Sequence, residues 1–141
     1  MKVIMVNGSP HPNGCTNAAL AEIGGILNEN GIETGNFWIG NKPVGGCIDC
    51  RKCVGKGVCI FDGVVNDFFE IAAGFDGFIF GSPFHWGATS GNMKSFMDRT
   101  FFADFCGGSD RVLFKRVACV ASARRGGIVA TIDQMDRYFC L

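Results

Sequence analysis

Four of the chain's eight cysteines fall within thirteen residues, as Cys47-x2-Cys50-x2-Cys53-x5-Cys59. Four thiolates are the ligand set of a [4Fe–4S] cluster, and spacing this compact lets one loop wrap it. The run departs from the bacterial ferredoxin pattern, because its last gap is longer and Ile60 rather than proline follows Cys59. Zinc also takes four thiolates, although its cysteine pairs usually stand further apart. Free thiols in a lid loop are the third reading. With a cluster on Cys47, Cys50, Cys53 and Cys59, the neighbouring Arg51, Lys52 and Lys56 would offset its negative charge.

Two other segments carry chemistry. In Gly8-Ser9-Pro10-His11-Pro12-Asn13-Gly14-Cys15-Thr16-Asn17, the hydroxyls of Ser9 and Thr16 and the amide of Asn17 stand where a helix can begin. With the free backbone amides of that helix start, they form a phosphate cradle. The glycine spacing is not that of a nucleoside-triphosphate loop, no lysine follows Gly14, and G-x-G-x-x-G is absent. A cradle without lysine suits a monophosphate; a polar turn with a helix cap is the plainer alternative. Further on, Gly81-Ser82-Pro83-Phe84-His85-Trp86-Gly87 sets two aromatics and an imidazole between glycines. It reads as a stacking surface for a flat ring system, or as an aromatic turn over the core. Cys119-x5-Arg125 has the spacing of a cysteine phosphatase loop, but Cys119 falls within a predicted strand, where its thiol is buried and inert.

Regular elements must position these segments. Lys2–Val6 reads as a buried strand, and Thr16 or Asn17 can cap a helix running to about Asn30, with Ala18, Leu20, Ile23, Ile26 and Leu27 on its buried side. Ile32–Ile39 reads as a second strand. Residues 40–63 hold six glycines and the four cysteines, which marks a loop with its own purpose. Val64–Ala73 reads as a helix, Phe78–Phe80 as a third strand, and Gly91–Phe105 as a long helix burying Met93, Phe96, Met97 and Phe101. Asp98 and Arg99 then read as a charged helix face. Val117–Ala121 reads as a fourth strand, and Ile128–Phe139 as a final helix. Short apolar strands alternating with helices predict a doubly wound parallel sheet in three α/β/α layers. Right-handed crossovers bring the loops from Gly8, Gly81 and Ser122 to one edge, where a ligand binds.

Composition narrows the class. The 141 residues predict one domain, 1–141, with residues 40–63 as an insert. Apolar residues at 48% against 18% charged exclude a disordered chain. Thirteen basic and thirteen acidic residues balance, so neither nucleic acid nor an anionic membrane is an expected partner. No apolar run is long enough to span a bilayer, and the first residues lack a signal-peptide pattern. A cytoplasmic location is expected, where clustered cysteines read as metal or redox chemistry before a disulfide frame.

Residues 3–17 (V-I-M-V-N-G-S-P-H-P-N-G-C-T-N) and 75–100 (F-D-G-F-I-F-G-S-P-F-H-W-G through G-N-M-K-S-F-M-D-R-T) resemble the flavodoxin-fold NAD(P)H-dependent FMN reductase family. The cysteine insert between them resembles its iron–sulfur flavoprotein branch. The likeness runs over nearly the whole chain. It implies bound FMN, with the phosphate at Ser9, Thr16 and Asn17 and with His11 nearby. The isoalloxazine would lie against Pro83, Phe84, His85, Trp86 and Gly87, with Ser122 and Arg124 alongside. FMN at the switch point is the known arrangement of flavodoxin itself.

The implied activity is an FMN-dependent oxidoreductase of the FMN or quinone reductase type, supplied by NAD(P)H or a reduced carrier. The alternative is an electron-transfer module between a [4Fe–4S] cluster and FMN. The flavin carries the chemistry, so no catalytic side chain is named. A receiver-type signalling domain of the same topology is excluded, because Val6-Asn7-Gly8 lacks the acidic pair. A flavodoxin-like sheet has five strands and only four are predicted here, which leaves Val117–Ala121 an uncharged edge. Such an edge invites pairing, so a homodimer or higher oligomer is expected.

Overall fold

A computed structural model describes residues 1–140. Strand β1 (Lys2–Asn7), helix α1 (Cys15–Glu29) and strand β2 (Glu33–Trp38) come first. After the cysteine loop follow α2 (Val64–Ala72), β3 (Gly77–His85), β4 (Ala88–Thr89), α3 (Gly91–Gly107), β5 (Arg116–Ser122) and α4 (Ile128–Asp136). A 3-10 turn, Arg137–Phe139, follows α4. Four strands run parallel in the order β2-β1-β3-β5, the flavodoxin-like order of the predicted elements. The fifth strand is not a further parallel one. It is the two-residue β4, which turns back antiparallel on the end of β3 through Phe84 and His85.

The apolar run of β1 is buried on both faces because each face has a helical cover. Val3 and Met5 pack with Leu20 of α1, while Ile4 and Val6 join Phe68 of α2 and Phe96 and Met97 of α3. Phenylalanine dominates this second, larger core. Phe68 meets Phe96 edge-on at 5.3 Å, and Phe80 stacks on Phe139 at 5.6 Å, geometries that aromatic quadrupoles favour.

Several sequence expectations need correction. Neither Thr16 nor Asn17 caps α1; Gly14 is its N-cap, and Thr16 lies buried within the first turn. Ala18 and Ile26 face outward, leaving Leu20, Ile23 and Leu27 as the packed face. Strand β3 runs on to His85, so much of the expected aromatic loop is strand and hairpin. Arg99 is buried rather than part of a charged face.

Candidate functional site

The carboxyl ends of β1, β3 and β5 meet as the topology requires. Gly8 N–H donates to Gly81 O at 2.8 Å, and the Ser90 hydroxyl at the N-cap of α3 donates to Gly8 O at 2.9 Å. Thr16 Oγ1 lies 2.8 Å from Ser122 Oγ, tying α1 to the end of β5. Ser9, Thr16 and Ser122 are therefore brought together. His11 N–H donates to Ser9 Oγ at 3.1 Å, which leaves the serine proton for another acceptor. The imidazole of His11 is exposed, and Asn17 is half-buried.

Two observations bear on what this loop could hold. Gly14 supplies no side-chain cap, so the first amides of α1 point outward without one. Asn7 is buried at the end of β1; its Oδ1 accepts from Ser9 N–H at 2.9 Å, while its Nδ2 has no partner. A buried donor left unpaired costs free energy that a bound acceptor restores. Asn7 was absent from the sequence-derived site, and its signal was an amide residue ending an apolar strand. Trp38 joins from β2, its Nε1 donating to Ser9 O at 2.8 Å.

The second expected surface is less uniform. Phe84 is half-buried, and its ring lies so close over Gly127 that a side chain there would clash. Gly127 also has φ +93, a second reason for glycine at that position. Trp86 has φ +44 and is fully exposed, so in the free protein its ring covers nothing. Pro83 is half-buried and His85, Gly87 and Arg124 are exposed near the same edge.

The cysteine loop is fastened at both limbs. Asn92 of α3 holds one limb, accepting from Val44 N–H and donating to Lys42 O. Asn66 of α2 brackets Cys59, accepting from its N–H and donating to its carbonyl, each at 2.9 Å. Between them Gly55 N–H donates to Cys106 O at the end of α3, and Gly57 packs backbone to backbone against Gly107. No side chain fits at that crossing. Cys47, Cys50, Cys53 and Cys59 all line one recess of about 20 Å³ with Arg51, Arg99 and Phe102.

All four are free thiols. Burial pushes the Cys53 thiol up, and the neighbouring Cys106, Cys47 and Cys59 add to that, while a backbone hydrogen bond opposes it. Among the described residues no three His, Cys, Asp or Glu side chains converge closely enough for a single metal ion. As chemistry, four cysteine thiols lining one recess match the four-thiolate donor set of a [4Fe–4S] cluster. Cys119, by contrast, lies within β5, and burial raises its thiol, with the Asp136 charge adding to that. A strand position and a raised thiol are the reverse of what an activated thiolate needs.

A groove of about 690 Å³ begins beside Trp38 and runs past Lys42, Val44 and Val64 to Phe61 and Arg99. Its lining includes Trp38, which is bonded to Ser9 O, and Arg99 and Phe61, which also line the cysteine recess. Among the described residues no helix is long and apolar enough to cross a membrane.

The parallel order, the two-faced helical cover and the loops gathered at one edge define a flavodoxin-like α/β/α domain. The family described as NADPH-dependent FMN reductase matches residues 1–141, and the chain belongs to it. An iron-sulfur flavoprotein of Methanocaldococcus jannaschii is 33% identical over 141 residues, covering 100% of this chain and 72% of that protein. One from Methanosarcina thermophila is 26% identical over 100 residues, covering 71% of this chain and 52% of that protein. The chain thus spans about half the length of several curated relatives it matches. Among solved structures, an NAD(P)H:quinone oxidoreductase from Methanothermobacter marburgensis superposes with TM-score 0.70 at 16% identity, over 89% of this chain and 65% of that one. An archaeal flavodoxin gives TM-score 0.60 at 16% identity, over 98% and 75%. At these identities the structural likeness speaks for the fold.

Proposed function

We propose that this chain is an FMN-dependent oxidoreductase that passes electrons from NAD(P)H or a reduced carrier to an acceptor through the bound flavin. The observation that carries this reading is the cradle: uncapped amides of α1, Ser9, Thr16 held to Ser122, and the unpaired Nδ2 of Asn7. When bound, FMN supplies the hydride and electron chemistry. The chain's own work is to hold and orient. Ser9, Thr16, Asn17 and the first amides of α1 bind the phosphate with neutral donors and a helix terminus. Pro83, Phe84, His85, Trp86 and Gly87 border the ring, with Ser122 and Arg124 at its side. Exposed Arg124 offers a cation to an approaching anionic donor. Purified protein that is yellow, contains one FMN per chain and bleaches with NAD(P)H supports the reading; a colourless protein that takes up no FMN overturns it.

A second reading has its own observation. Four free cysteines line one recess, and the matched iron-sulfur flavoproteins carry a cluster in their name. On this reading Cys47, Cys50, Cys53 and Cys59 hold a [4Fe–4S] cluster, and the protein relays electrons between it and FMN. Anaerobic reconstitution then yields about four irons per chain, and a protein that binds FMN but no iron refutes it.

Assembly belongs to the same proposal. Among the described residues β5 pairs only with β3, so its other edge offers unpaired backbone groups. Pairing that edge with a second copy removes the hazard of an open strand. A dimer or larger closed species in light scattering supports this, and a monodisperse monomer excludes it.

A further inference from the structure

Arg99 is a buried cation without a carboxylate. It is 5% exposed, although arginine is almost never fully buried unless paired. None of the ion pairs among the described residues includes it. Its Nη2 donates to the carbonyl of Phe61 at 2.6 Å, and its guanidinium lies 5.5 Å from the centre of the Phe61 ring. Its Nε donates to Cys59 Sγ at 3.2 Å.

These contacts spend the guanidinium on a carbonyl, a ring and a sulfur. None of them carries a full negative charge in a protein with free thiols. Burying an unpaired cation is costly, and the cost is relieved when an anion comes within reach. The recess wall supplied by Arg99 is also the wall where Cys59 is fastened by both backbone bonds to Asn66. The cation and this sulfur are therefore held in fixed relation by two different helices, α3 and α2.

We propose that Arg99 is a positioning residue for the cysteine recess: it donates a charge-assisted hydrogen bond to the Cys59 sulfur as a cluster ligand and raises the cluster's reduction potential. This rests on the cluster reading above. Reduction adds one electron, and hence one negative charge, to a group whose sulfur already accepts from Arg99. A nearby donor and positive charge favour that added charge, and hydrogen bonds to ligand sulfurs are among the determinants of iron–sulfur potentials. Lys52 and Lys56 are exposed, and Arg51 pairs with Asp49 in solvent, so the screening they offer is weaker. Arg99 acts from inside the protein.

The test uses the full chain, reconstituted anaerobically with iron and sulfide, in wild type, Arg99→Lys and Arg99→Gln. The readouts are iron per chain and the midpoint potential of the cluster, titrated against mediators with circular dichroism as a control on folding. In Arg99→Gln the reduced-to-oxidised ratio at a fixed solution potential should fall about tenfold, equivalent to ~59 mV for a one-electron couple. Arg99→Lys, which keeps the charge and loses the fork, should fall between. Should both variants misfold, pulsed electron paramagnetic resonance on reduced protein with nitrogen-15 arginine decides. An Arg51→Lys background removes the only other arginine lining the recess, and a coupled arginine nitrogen is then expected. Wild type that takes up no iron overturns the cluster reading and this inference with it. Wild type that takes up iron, with an unchanged potential in a folded variant or no coupled nitrogen, overturns the role of Arg99 alone.

Discussion

The hydroxyl of Thr16, in the first turn of α1, lies 2.8 Å from the hydroxyl of Ser122, at the end of β5. One loop that follows β1 is thereby locked to another 106 residues away in sequence. Since Thr16 is buried and oriented by this contact, its loss affects both the hydrogen bond to a ligand and the placing of the helix start. Hydrogen bonds to charged groups are worth roughly 1.5–3 kcal/mol. Thr16→Ala should weaken FMN binding by at least about tenfold, with Ser122→Ala weakening it less. Fluorescence titration of FMN measures both, and unchanged affinity in Thr16→Ala would remove the phosphate from this loop.

Trp86 and Trp38 should behave differently. Trp86 is fully exposed and packs on nothing, so Trp86→Ala should change stability by no more than about 0.5 kcal/mol. Its effect belongs to the bound state, as a loss of FMN affinity. Trp38→Phe removes the bond to Ser9 O and should weaken binding through the cradle. Thermal melts paired with FMN titrations separate the two. A Trp86→Ala protein with wild-type FMN affinity would take that ring out of the flavin site.

Asp104 should govern stability in acid. It is fully buried at the end of α3, where burial alone would raise its carboxyl. Hydrogen bonds from Ser109, the N–H of Val112, Arg111 and the N–H of Leu113 outweigh that and hold it below the usual carboxylate range. Its folded value is depressed, so its contribution is present above the unfolded value of 3.8 and is lost as pH falls through the folded one. Asp104→Ala should cost roughly 3–5 kcal/mol near neutrality, because Arg111 loses its partner. Urea unfolding at neutral pH and below pH 3.8 should show the gap to wild type narrowing in acid.

Tyr138 is the single tyrosine, which makes its titration readable by absorbance. Burial and its hydrogen bond to Asp98 push the phenol up to about 12, with Lys94 opposing. The folded value is raised, so the contribution to stability is full below the unfolded value of 10.0 and is lost as pH rises through about 12. Folded protein should form tyrosinate near 12 and urea-unfolded protein near 10.0. A folded transition near 10.0 would place Tyr138 in solvent.

Much of this architecture was legible because it rests on short-range pattern. The apolar run Val3–Val6 required cover on both faces, and Met93, Phe96, Met97 and Phe101 marked the buried stripe of α3. Arg99 lies on that same stripe, three residues after Phe96 and four before Ala103, both buried. A charge at a buried helical register was the available signal, and reading it as a surface face ignored the period. The extension of β3 to His85 was illegible for a different reason: it depends on β4 folding back, a long-range choice that Gly81 and Pro83 disguise locally. The loop Gly8–Asn17 stood out by its glycine and hydroxyl spacing. The unpaired Nδ2 of Asn7 and the bond from Trp38 appear only when β1 and β2 lie side by side.

Helix α3 carries Ser90 at its N-cap against Gly8, and Arg99 against Cys59. At 1.5 Å per residue, these nine steps make a rigid ruler of roughly 13.5 Å. The interval between the Gly8 loop and the cysteine recess is thus set by a count of helical residues. Inserting one residue between positions 90 and 99 would lengthen the ruler by about 1.5 Å and swing Arg99 about 100° around the axis, away from the recess. Length variation that spares both sites should therefore be excluded from the first nine residues of α3.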